Sequence, residues 1–352
     1  MQPWETSDAT SQPEDVNALH TLGLGFMAAR TLTVALDLRL FTHLADKPAC
    51  LSQLARALGL AERPTKRLLG ACVALGLVQV SEQHFQNTRL ASKYLVEGQS
   101  TYIGSYLQMF DALGYHRWER LHTALQHDAP LDDIDHPYHP LANDADAARA
   151  FHTAQHHGSQ SLGRALARRF DFQPFHCLLD LGAGSGTYTI EILRRYPQLQ
   201  AIVVDFPEVC RLAEETIQQA GLAARVRIVA GDYEQDPLPE GADIVLWSGN
   251  LHASSPARCA QILHAIAGVL APAGTLLIHD YLLDDTHTGP LIPALLALHL
   301  MLVSQDGQVY SAAELGALLE NAGFSDIRLR PFLNGHSSLV SARFQKAVPT
   351  AP

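Results

Sequence analysis

The sequence predicts an α/β protein in which a doubly wound domain of parallel strands follows a mostly helical N-terminal domain. After residue 176, short apolar runs alternate with helical stretches, a pattern typical of a parallel sheet covered by helices on both faces. Before that point, apolar residues recur mainly at helical spacing. The length of 352 residues is enough for about two domains with a sizeable core.

The N-terminal part of the chain is expected to form a tail and then a small helical domain. Residues 1–15 are polar and acidic, which indicates a disordered tail. Within residues 16–100, a short helix starts after Cys50, a turn follows at Gly59–Leu60, and a second helix runs from about Glu62 to Leu75. Two short strands around "LVQV" and "HFQNT" complete a helix-turn-helix with a wing.

The rest of the chain is predicted as a helical region at residues 101–170 and the α/β domain at residues 171–352. The strands of this domain are expected at "HCLLDL", "AIVVDF", "VRIVAGD", "DIVLWS" and "TLLIHDY". The last two runs, "IRLRPF" and "SSLVSARF", follow one another closely and are predicted to form an antiparallel edge of the sheet.

The composition limits the partners and the compartment of the protein. A formal net charge of −11 disfavours nucleic acid or an anionic membrane surface as a partner, because phosphate binding depends on Lys and Arg. No run approaches the roughly 18 apolar residues of a membrane span, and the N-terminus lacks the pattern of a signal peptide. The five cysteines are scattered, without a C-x-x-C pair, which suits reduced thiols. The cytoplasm is therefore the expected compartment.

The stretch "LLDLGAGSGTYT" is predicted to be a strand, a glycine-rich turn and the start of a helix. Gly182, Gly184 and Gly186 let the backbone turn sharply and approach a ligand closely. Asp180 precedes the first glycine, and Asp205 ends the next strand, where a carboxylate can accept both hydrogen bonds of a ribose diol. This spacing predicts a nucleoside site at the carboxyl edge of the sheet.

The residues around this site favour a cationic nucleoside. The spacing G-x-G-x-G differs from the dinucleotide pattern G-x-G-x-x-G, and the Lys-Ser/Thr pair of a phosphate-binding loop does not follow. Asp232 ends the third strand, where it can meet the adenine edge. Three acidic residues suit the sulfonium and ammonium groups of S-adenosylmethionine better than they suit a pyrophosphate. S-adenosylmethionine is therefore the predicted cofactor.

Further motifs follow in order: "DLGAGSG", "VVDFPEV", "AGDY", "LHASSPARCAQIL", "HDYLLDD" and "YSAAELGALLENAGF". With these motifs the chain, from about Leu19 to Phe344, resembles the S-adenosylmethionine-dependent O-methyltransferases of the caffeate/hydroxyneurosporene type. The resemblance implies a winged-helix dimerisation domain at 16–100, a helical linker at 101–170 that contributes to the substrate pocket, and a Rossmann-like methyltransferase domain at 171–352. An apolar helix around Leu22–Leu40 needs a covering surface, which agrees with a homodimer.

The resemblance also implies which residues form the site and what they act on. The acceptor would be a phenolic or enolic hydroxyl of a small molecule of secondary metabolism, which corresponds to EC 2.1.1.-. In the substrate pocket, a glutamine stands where the family usually has a methionine, which changes the shape or polarity of the pocket. The pocket residues would be Phe151, Gln155 and His299. The cofactor-binding residues would be Asp180, Gly182, Gly184, Gly186, Asp205, Phe206, Asp232, Tyr233, Ser248 and Ser159.

The stretch "WSGNLHASSPARC" carries the predicted catalytic base. His252 follows the fourth strand and Asp280 ends the fifth, and adjacent strands bring these ends together beside the cofactor cleft. A histidine held by a carboxylate can take the proton of a phenol or an enol. By the resemblance, His252 is the family's base, but Ala253 and Ser254 replace the Asp and Trp that usually follow, and the second orienting acid is missing near Val309. The simpler interpretation is a packed histidine at the start of a helix.

Other interpretations stay open at the level of sequence. His252 and His299 could form a metal-binding pair in the C-methylation of an α-keto acid, although the prediction is that no metal is bound. Some members of the fold bind the cofactor and catalyse a cyclisation or rearrangement without methyl transfer. A DNA-binding regulator would use Arg63, Lys66 and Arg67, yet a solvated basic face explains these charges equally well. The sequence alone also leaves open whether the acceptor is oxygen, carbon or nitrogen.

Overall fold

The structure of the protein, a computed structural model, describes residues 16–130, 138 and 144–344. The tail predicted at residues 1–15 lies outside the described residues. The chain divides into two compact units, Met1–Ala112 and Leu113–Pro352. The domain boundaries placed at residues 100 and 170 stay predictions.

The first unit combines short helices with a small antiparallel sheet. Strand β3 pairs with both β1 and β2. The core of this unit contains the side chains of Leu40, Phe41, Leu54 and Leu69, which pack together. The elements are α1 (Val16–Gly23), α2 (Gly25–Asp37), α3 (Leu40–His43), β1 (Ala49–Cys50), α4 (Leu51–Ala57), α5 (Glu62–Ala74), β2 (Val78–Ser81), β3 (His84–Asn87) and α6 (Arg89–Tyr94). Helix α7 (Gly104–Trp118) runs across the division between the two units.

The apolar helix expected around Leu22–Leu40 is interrupted. Helices α1 and α2 are bent by 42° at Leu24, which lies between Gly23 and Gly25. Glycine lowers the stability of a helix because it loses the most backbone freedom on folding, so the break falls where the helix is weakest. Among the described residues, no single helix is long and apolar enough to cross a membrane; α1 and α2 reach that length and composition only when taken together.

The helix-turn-helix segment begins and ends close to the predicted residues. Helix α4 begins at Leu51, with Cys50 as its N-cap, and α5 spans Glu62–Ala74. At the end of β3, the side-chain amide of Asn87 donates to the carbonyl oxygen of Phe41 at 2.8 Å. This buried hydrogen bond fixes the small sheet to α3.

In the second unit, strands and helices alternate after one short and one long helix. Short 3-10 helices lie at Ala223–Arg225 and Leu251–Ala253. The other elements are α8 (Leu121–His127), α9 (Ala145–Arg169), β4 (Cys177–Leu181), α10 (Thr187–Arg195), β5 (Gln200–Asp205), α11 (Pro207–Gln219), β6 (Val226–Ala230), β7 (Ile244–Ser248), α12 (Pro256–Val269), β8 (Thr275–Asp280), α13 (Leu291–Val303), α14 (Ala312–Asn321), β9 (Phe324–Leu333) and β10 (Ser337–Phe344).

These strands form a seven-stranded sheet in the order β6-β5-β4-β7-β8-β10-β9. Strands β4 to β8 are parallel, and β10 pairs antiparallel with both β8 and β9. The chain first winds outward from β4 to β6 and then returns to the other side of β4 at β7. The predicted doubly wound α/β fold and its antiparallel edge are confirmed, and the reversal beside β4 is where such sheets bind ligands.

Two apolar layers hold this sheet between helices. Alternate residues of a strand point to opposite faces, so Leu179 and Leu181 pack toward α12 and α14, while Leu178 packs toward α9, α10 and α11. Because both faces are covered, the central strands are mostly apolar, as expected for a buried parallel sheet. Polar side chains concentrate instead where the strands end.

Candidate active site

The glycine-rich turn between β4 and α10 has a backbone that few other residues could adopt. Gly182, Gly184 and Gly186 have φ angles of +63°, +56° and +73°, in the left-handed region. A Cβ atom on Gly182 would lie 2.5 Å from the side-chain nitrogen of Asn250, and one on Gly184 would lie 3.1 Å from Nδ1 of His152. The turn is therefore tightly enclosed by side chains from two other segments.

Asp205, at the end of β5, lies directly against this turn. Its Oδ2 accepts a hydrogen bond from the backbone N–H of Gly184 at 2.7 Å, and its Oδ1 accepts one from Phe206 at 2.8 Å. Burial, with a smaller contribution from the charge of Asp232, raises the pKa of this carboxyl to about 6, against the opposing effect of its two backbone hydrogen bonds. Each carboxylate oxygen can accept another hydrogen bond, so the two acceptor atoms fit the two hydroxyls of a ribose. The ribose contact itself stays a prediction.

Asp180 lies inside the fold rather than at the rim of the turn. Its side chain is buried, and its Oδ2 accepts a hydrogen bond from the hydroxyl of Thr189 at 2.6 Å. Burial raises the pKa of Asp180 to about 7. The contact joins β4 to α10, so this carboxyl stabilises the helix that follows the glycines.

The loop after β6 brings Asp232 and Tyr233 to the same edge of the sheet. Oδ1 of Asp232 accepts from the backbone N–H of Glu234 at 3.0 Å, and its Oδ2 accepts from the side chain of Gln235 at 2.8 Å. Burial holds the pKa of the Tyr233 hydroxyl well above its ordinary value. Because β6 neighbours β5, both residues follow a strand end adjacent to that of Asp205.

The end of β7 contributes Ser248 and a residue that sequence reasoning missed, Asn250. The Asn250 amide donates to the carbonyl oxygens of Gly182 at 3.1 Å and Ser248 at 2.9 Å, so it joins the glycine turn to β7. The Ser248 hydroxyl contacts Nδ1 of His279 at 3.1 Å. In the sequence, the only indication of a role for Asn250 was its position two residues before the predicted base, His252.

Helix α9 carries the predicted residues Phe151, Gln155 and Ser159 at intervals of four, on one side of the helix, and all three are half-buried. Sequence reasoning missed the role of His156. Its Nδ1 is 2.8 Å from the hydroxyl of Thr187, at the start of α10. Burial lowers the pKa of His156 to about 4, so the ring is neutral at physiological pH. The signal was present as the His-rich stretch "FHTAQHH".

His252 and Asp280 form the central pair of the site. Nδ1 of His252 is 2.7 Å from Oδ1 of Asp280, and both side chains are buried. The carboxylate also accepts from the backbone N–H groups of Leu251 at 3.0 Å and Tyr281 at 2.7 Å. An ionised carboxylate only accepts, so Nδ1 of His252 carries the hydrogen and Nε2 presents its lone pair. The structure thus brings these two predicted residues into contact, and their catalytic roles stay predictions.

Two tyrosines border the ring of His252. The hydroxyl of Tyr138 lies 3.3 Å from Nε2 and donates to the carbonyl oxygen of Gly249 at 3.4 Å. The ring of Tyr281 packs edge-on at 5.7 Å between centroids. The ring of Phe151 lies 5.8 Å from that of Tyr138, which brings the N-terminal part of α9 toward the predicted base. Sequence reasoning missed Tyr138 because its segment has neither a motif nor a periodic pattern.

His299, on α13, makes a contact that fixes its tautomer. The indole N–H of Trp118 donates to Nδ1 of His299 at 3.2 Å, and the two rings are stacked. Since Nδ1 accepts, the hydrogen of the neutral ring lies on Nε2. Burial lowers the pKa of His299, which favours this neutral form. Among the described residues, no group of three or more His, Cys, Asp or Glu side chains could hold a metal ion.

Comparison with known proteins agrees with this geometry. The sequence profile of the O-methyltransferase domain matches residues 133–325, and that of the O-methyltransferase dimerisation domain matches residues 21–97. The 3-hydroxy-5-methyl-1-naphthoate 3-O-methyltransferase of Streptomyces sahachiroi is 36% identical over 310 residues, which cover 88% of this chain and 90% of the relative. The tetracenomycin polyketide synthesis 8-O-methyl transferase of Streptomyces glaucescens is 30% identical over 308 residues, with coverage of 87% and 91%.

A solved structure extends the likeness to the whole fold. Human N-acetylserotonin methyltransferase in complex with S-adenosylmethionine superposes with a TM-score of 0.87 at 26% identity, covering 96% of this chain and 100% of that one. The predicted cofactor, S-adenosylmethionine, is confirmed. The fold, the glycine turn and both matched domains lead to one conclusion: the chain belongs to the family of S-adenosylmethionine-dependent O-methyltransferases that carry an N-terminal dimerisation domain.

Proposed function

We propose that this enzyme methylates a phenolic or enolic hydroxyl of a small molecule of secondary metabolism, with His252 as general base and Asp280 as the carboxylate that orients it. The observation that carries the proposal is the buried contact of 2.7 Å between Nδ1 of His252 and Asp280. The pair lies past the carboxyl ends of β7 and β8, beside the strand that precedes the glycine turn. Ligands of doubly wound sheets bind at this edge.

The tautomer of His252 suits proton abstraction. With its hydrogen held on Nδ1 by Asp280, the ring offers Nε2 to the acceptor hydroxyl, which loses its proton as it becomes a better nucleophile. The carboxylate then stabilises the imidazolium that forms. The Tyr138 hydroxyl, 3.3 Å from Nε2, supports the idea that a phenolic oxygen can approach this atom.

The residues around the glycine turn hold the cofactor in this proposal. Asp205 would accept the ribose hydroxyls, Asp232 and Tyr233 would border the adenine, and the close backbone at Gly182–Gly186 would leave room for the methionine part. When bound, S-adenosylmethionine supplies the methyl group, whose bond to sulfur breaks as its bond to oxygen forms. The protein then needs only to align the acceptor, exclude water and accept one proton.

The substrate class is proposed from the relatives and from the pocket residues. The naphthoate relative named above acts, by its name, on a hydroxyl of an aromatic ring system. Phe151 supplies an aromatic wall near Tyr138, and Gln155 and His299 would add polar contacts to the acceptor. We therefore propose an aromatic acceptor with further polar substituents.

The alternatives from the sequence find no support. Nδ1 of His252 is engaged by Asp280 and Nδ1 of His299 accepts from Trp118, and no group of three or more potential metal ligands lies among the residues that the structure describes. The relatives named above are O-methyltransferases, which favours oxygen over carbon as acceptor and methyl transfer over rearrangement. The match of residues 21–97 to a dimerisation domain gives the N-terminal unit a role other than DNA binding.

We also propose that the enzyme is a homodimer and that residues 16–100 form a winged-helix dimerisation domain. Apolar side chains along α1 and α2 are largely exposed: Leu19, Leu22, Leu24, Phe26 and Met27. Such a surface requires a partner, and the profile match starts within it. A second copy of the chain is the partner that the family supports. The cytoplasmic location stays a prediction.

The proposal is tested with S-adenosylmethionine labelled in its methyl group. The enzyme and its His252→Ala variant are incubated side by side with an extract of the source organism and with a panel of hydroxylated aromatic compounds, and products are read by mass spectrometry. We expect a labelled methyl ether from the wild type and a rate lower by about 10²–10⁴-fold in the variant. Equal rates in both proteins would remove His252 from the mechanism.

A further inference from the structure

The segment that carries His252 is fixed at both of its ends. At its N-terminal end, Leu251 and His252 are hydrogen-bonded to Asp280. At its C-terminal end, the carbonyl oxygen of Ser254 accepts a hydrogen bond from the hydroxyl of Tyr310 at 2.6 Å. Ser254 is fully buried, so its hydroxyl also needs a partner inside the protein.

That partner is Glu234. The Ser254 hydroxyl donates to Oε1 of Glu234 at 3.0 Å, and Arg258 donates to Oε2 at 2.7 Å. The same arginine pairs with Asp306 at 3.2 Å. The Glu234 side chain is only 3% exposed, so the serine and the arginine compensate a carboxylate that is almost completely withdrawn from water.

Glu234 also belongs to the loop predicted to border the adenine. It directly follows Asp232 and Tyr233, and its backbone N–H donates to Oδ1 of Asp232 at 3.0 Å. The loop is braced further, because the N–H of Asp232 donates to the side chain of Asp236 at 2.8 Å. Glu234 thus contacts two parts of the site. Its backbone belongs to the loop on the adenine side, and its carboxylate bonds to the segment that carries His252.

We infer that Glu234 is a positioning residue. Through Ser254 and Arg258, it keeps Nε2 of His252 at a fixed distance and orientation relative to the cofactor bound beside the adjoining loop. The inference rests on the proposed role of His252 as base. Ser254 is two residues from His252, so loss of its side-chain hydrogen bond leaves the C-terminal end of the segment held only through the bond from Tyr310, while the contact with Asp280 remains. Displacement of a base by a fraction of an ångström lowers the rate of proton transfer more than it lowers binding.

The test compares Ser254→Ala, Glu234→Gln and the double variant in the full-length enzyme. We expect Ser254→Ala to lower kcat about tenfold at saturating concentrations of both substrates, with unchanged affinity and stoichiometry for S-adenosylmethionine by calorimetry. Glu234→Gln should lower kcat at least as much, and the double variant should be no slower than Glu234→Gln, because both changes act through one contact. Glu215→Gln is the control, since it weakens an exposed pair with Arg149 and should leave kcat unchanged.

Three results would overturn the inference: a wild-type kcat in Ser254→Ala, a loss of kcat matched by a loss of binding stoichiometry, or effects that multiply in the double variant. The second result would mean that the contact only maintains folded protein. His252→Ala is measured in the same series. A normal rate in His252→Ala would refute the base itself, whereas a slow His252→Ala beside a normal Ser254→Ala would refute only the positioning role of Glu234.

Discussion

Asp280 determines which nitrogen of His252 is basic. Its Oδ1 receives Nδ1–H of His252 and the N–H of Tyr281, and its Oδ2 receives the N–H of Leu251. With all these donors directed at it, the carboxylate can neither rotate nor donate. An asparagine of the same shape carries an amide NH₂ that competes for these positions and tolerates the opposite tautomer of the histidine.

We therefore expect Asp280→Asn to lower kcat by about 10²–10⁴-fold, because the wrong tautomer leaves no lone pair at Nε2. Affinity for S-adenosylmethionine should remain, since the contacts of Asp280 are with the base segment and with its own strand end. Transfer of labelled methyl measures the first effect and calorimetry the second. Asp326→Asn, in an exposed pair with Arg328, is the control. A variant that keeps the wild-type rate would show that the tautomer of His252 is set elsewhere.

His279, the neighbour of Asp280 on β8, has a structural role. Its Nδ1 is 3.1 Å from the hydroxyls of Tyr188 and Ser248, and its Nε2 is 3.0 Å from that of Ser337. Burial lowers the pKa of this imidazole to about 4. Above pH 6.5 the ring is neutral in both the folded and the unfolded chain. Between pH 6.5 and 4 only the unfolded chain takes up the proton, so His279 lowers stability as the pH falls.

This linkage can be measured with His279→Gln. The variant loses hydrogen bonds at every pH, but it also loses the penalty that the wild type carries in acid. Its deficit in unfolding free energy should therefore be about 2 kcal/mol smaller at pH 5 than at pH 8. Urea denaturation at both pH values measures the difference. Ser337→Ala removes a partner but no titrating group, so its deficit should not change with pH. A constant deficit in His279→Gln would contradict a neutral buried ring.

At the scale of elements, α9 and α10 approach each other through a glycine. A Cβ atom on Gly163 would lie 3.3 Å from the side chain of Glu191 and 3.4 Å from the carbonyl oxygen of Thr187. The short distance between the helices lets His156, two turns earlier on α9, reach the hydroxyl of Thr187. The same helix carries Phe151, Gln155 and Ser159. The packing of two helices thus determines how far the pocket residues lie from the glycine turn.

Gly163→Leu should therefore separate the helices. We expect a loss of about 1–3 kcal/mol in unfolding free energy from overpacking, and weaker binding of S-adenosylmethionine as α9 moves away from the glycine turn. Gly268→Leu is the matched control, because Gly268 is also helical and has nothing within 4 Å of the added Cβ atom. Leucine forms helices better than glycine, so the control should be neutral or slightly stabilising. Equal outcomes for the two variants would mean that α9 and α10 tolerate a wider spacing.

The elements that were predicted well have signals confined to a few neighbouring residues. Glycine spacing identified the turn at Gly182–Gly186, and the end of each apolar run identified strand ends such as Asp205. By contrast, Asn250 and Tyr138 act through partners distant in the chain, and nothing local indicates which segments meet. The bend at Leu24 was missed because the apolar periodicity continues through it. Pattern reasoning thus recovers elements, whereas side-chain partnerships depend on tertiary packing.

At the scale of the whole molecule, the exposed apolar side chains of α1 and α2 predict the oligomeric state. Leu22 is 78% exposed and Met27 is 53% exposed. We expect the double variant Leu22→Asp, Met27→Asp to be monomeric, because charged side chains in an apolar interface remain uncompensated. Sedimentation velocity of the wild type should show a dimer. Leu329→Asp changes an apolar residue of the second unit that is 45% exposed and should leave the dimer intact. A monomeric wild type would contradict the proposed homodimer.

Main-chain groups also help to hold the proposed base, His252, and its partner Asp280. Two of the donors to Asp280 are backbone N–H groups, and the carbonyl oxygen of His252 accepts from the backbone N–H of Gln308 at 2.8 Å. Backbone donors survive every side-chain replacement except proline. The side chains at 251, 281 and 308 can therefore vary over evolution without removing these supports. With these supports unchanged, substitutions in the lining of the cleft can change which acceptor binds, while Nε2 of His252, the proposed proton acceptor, stays in place.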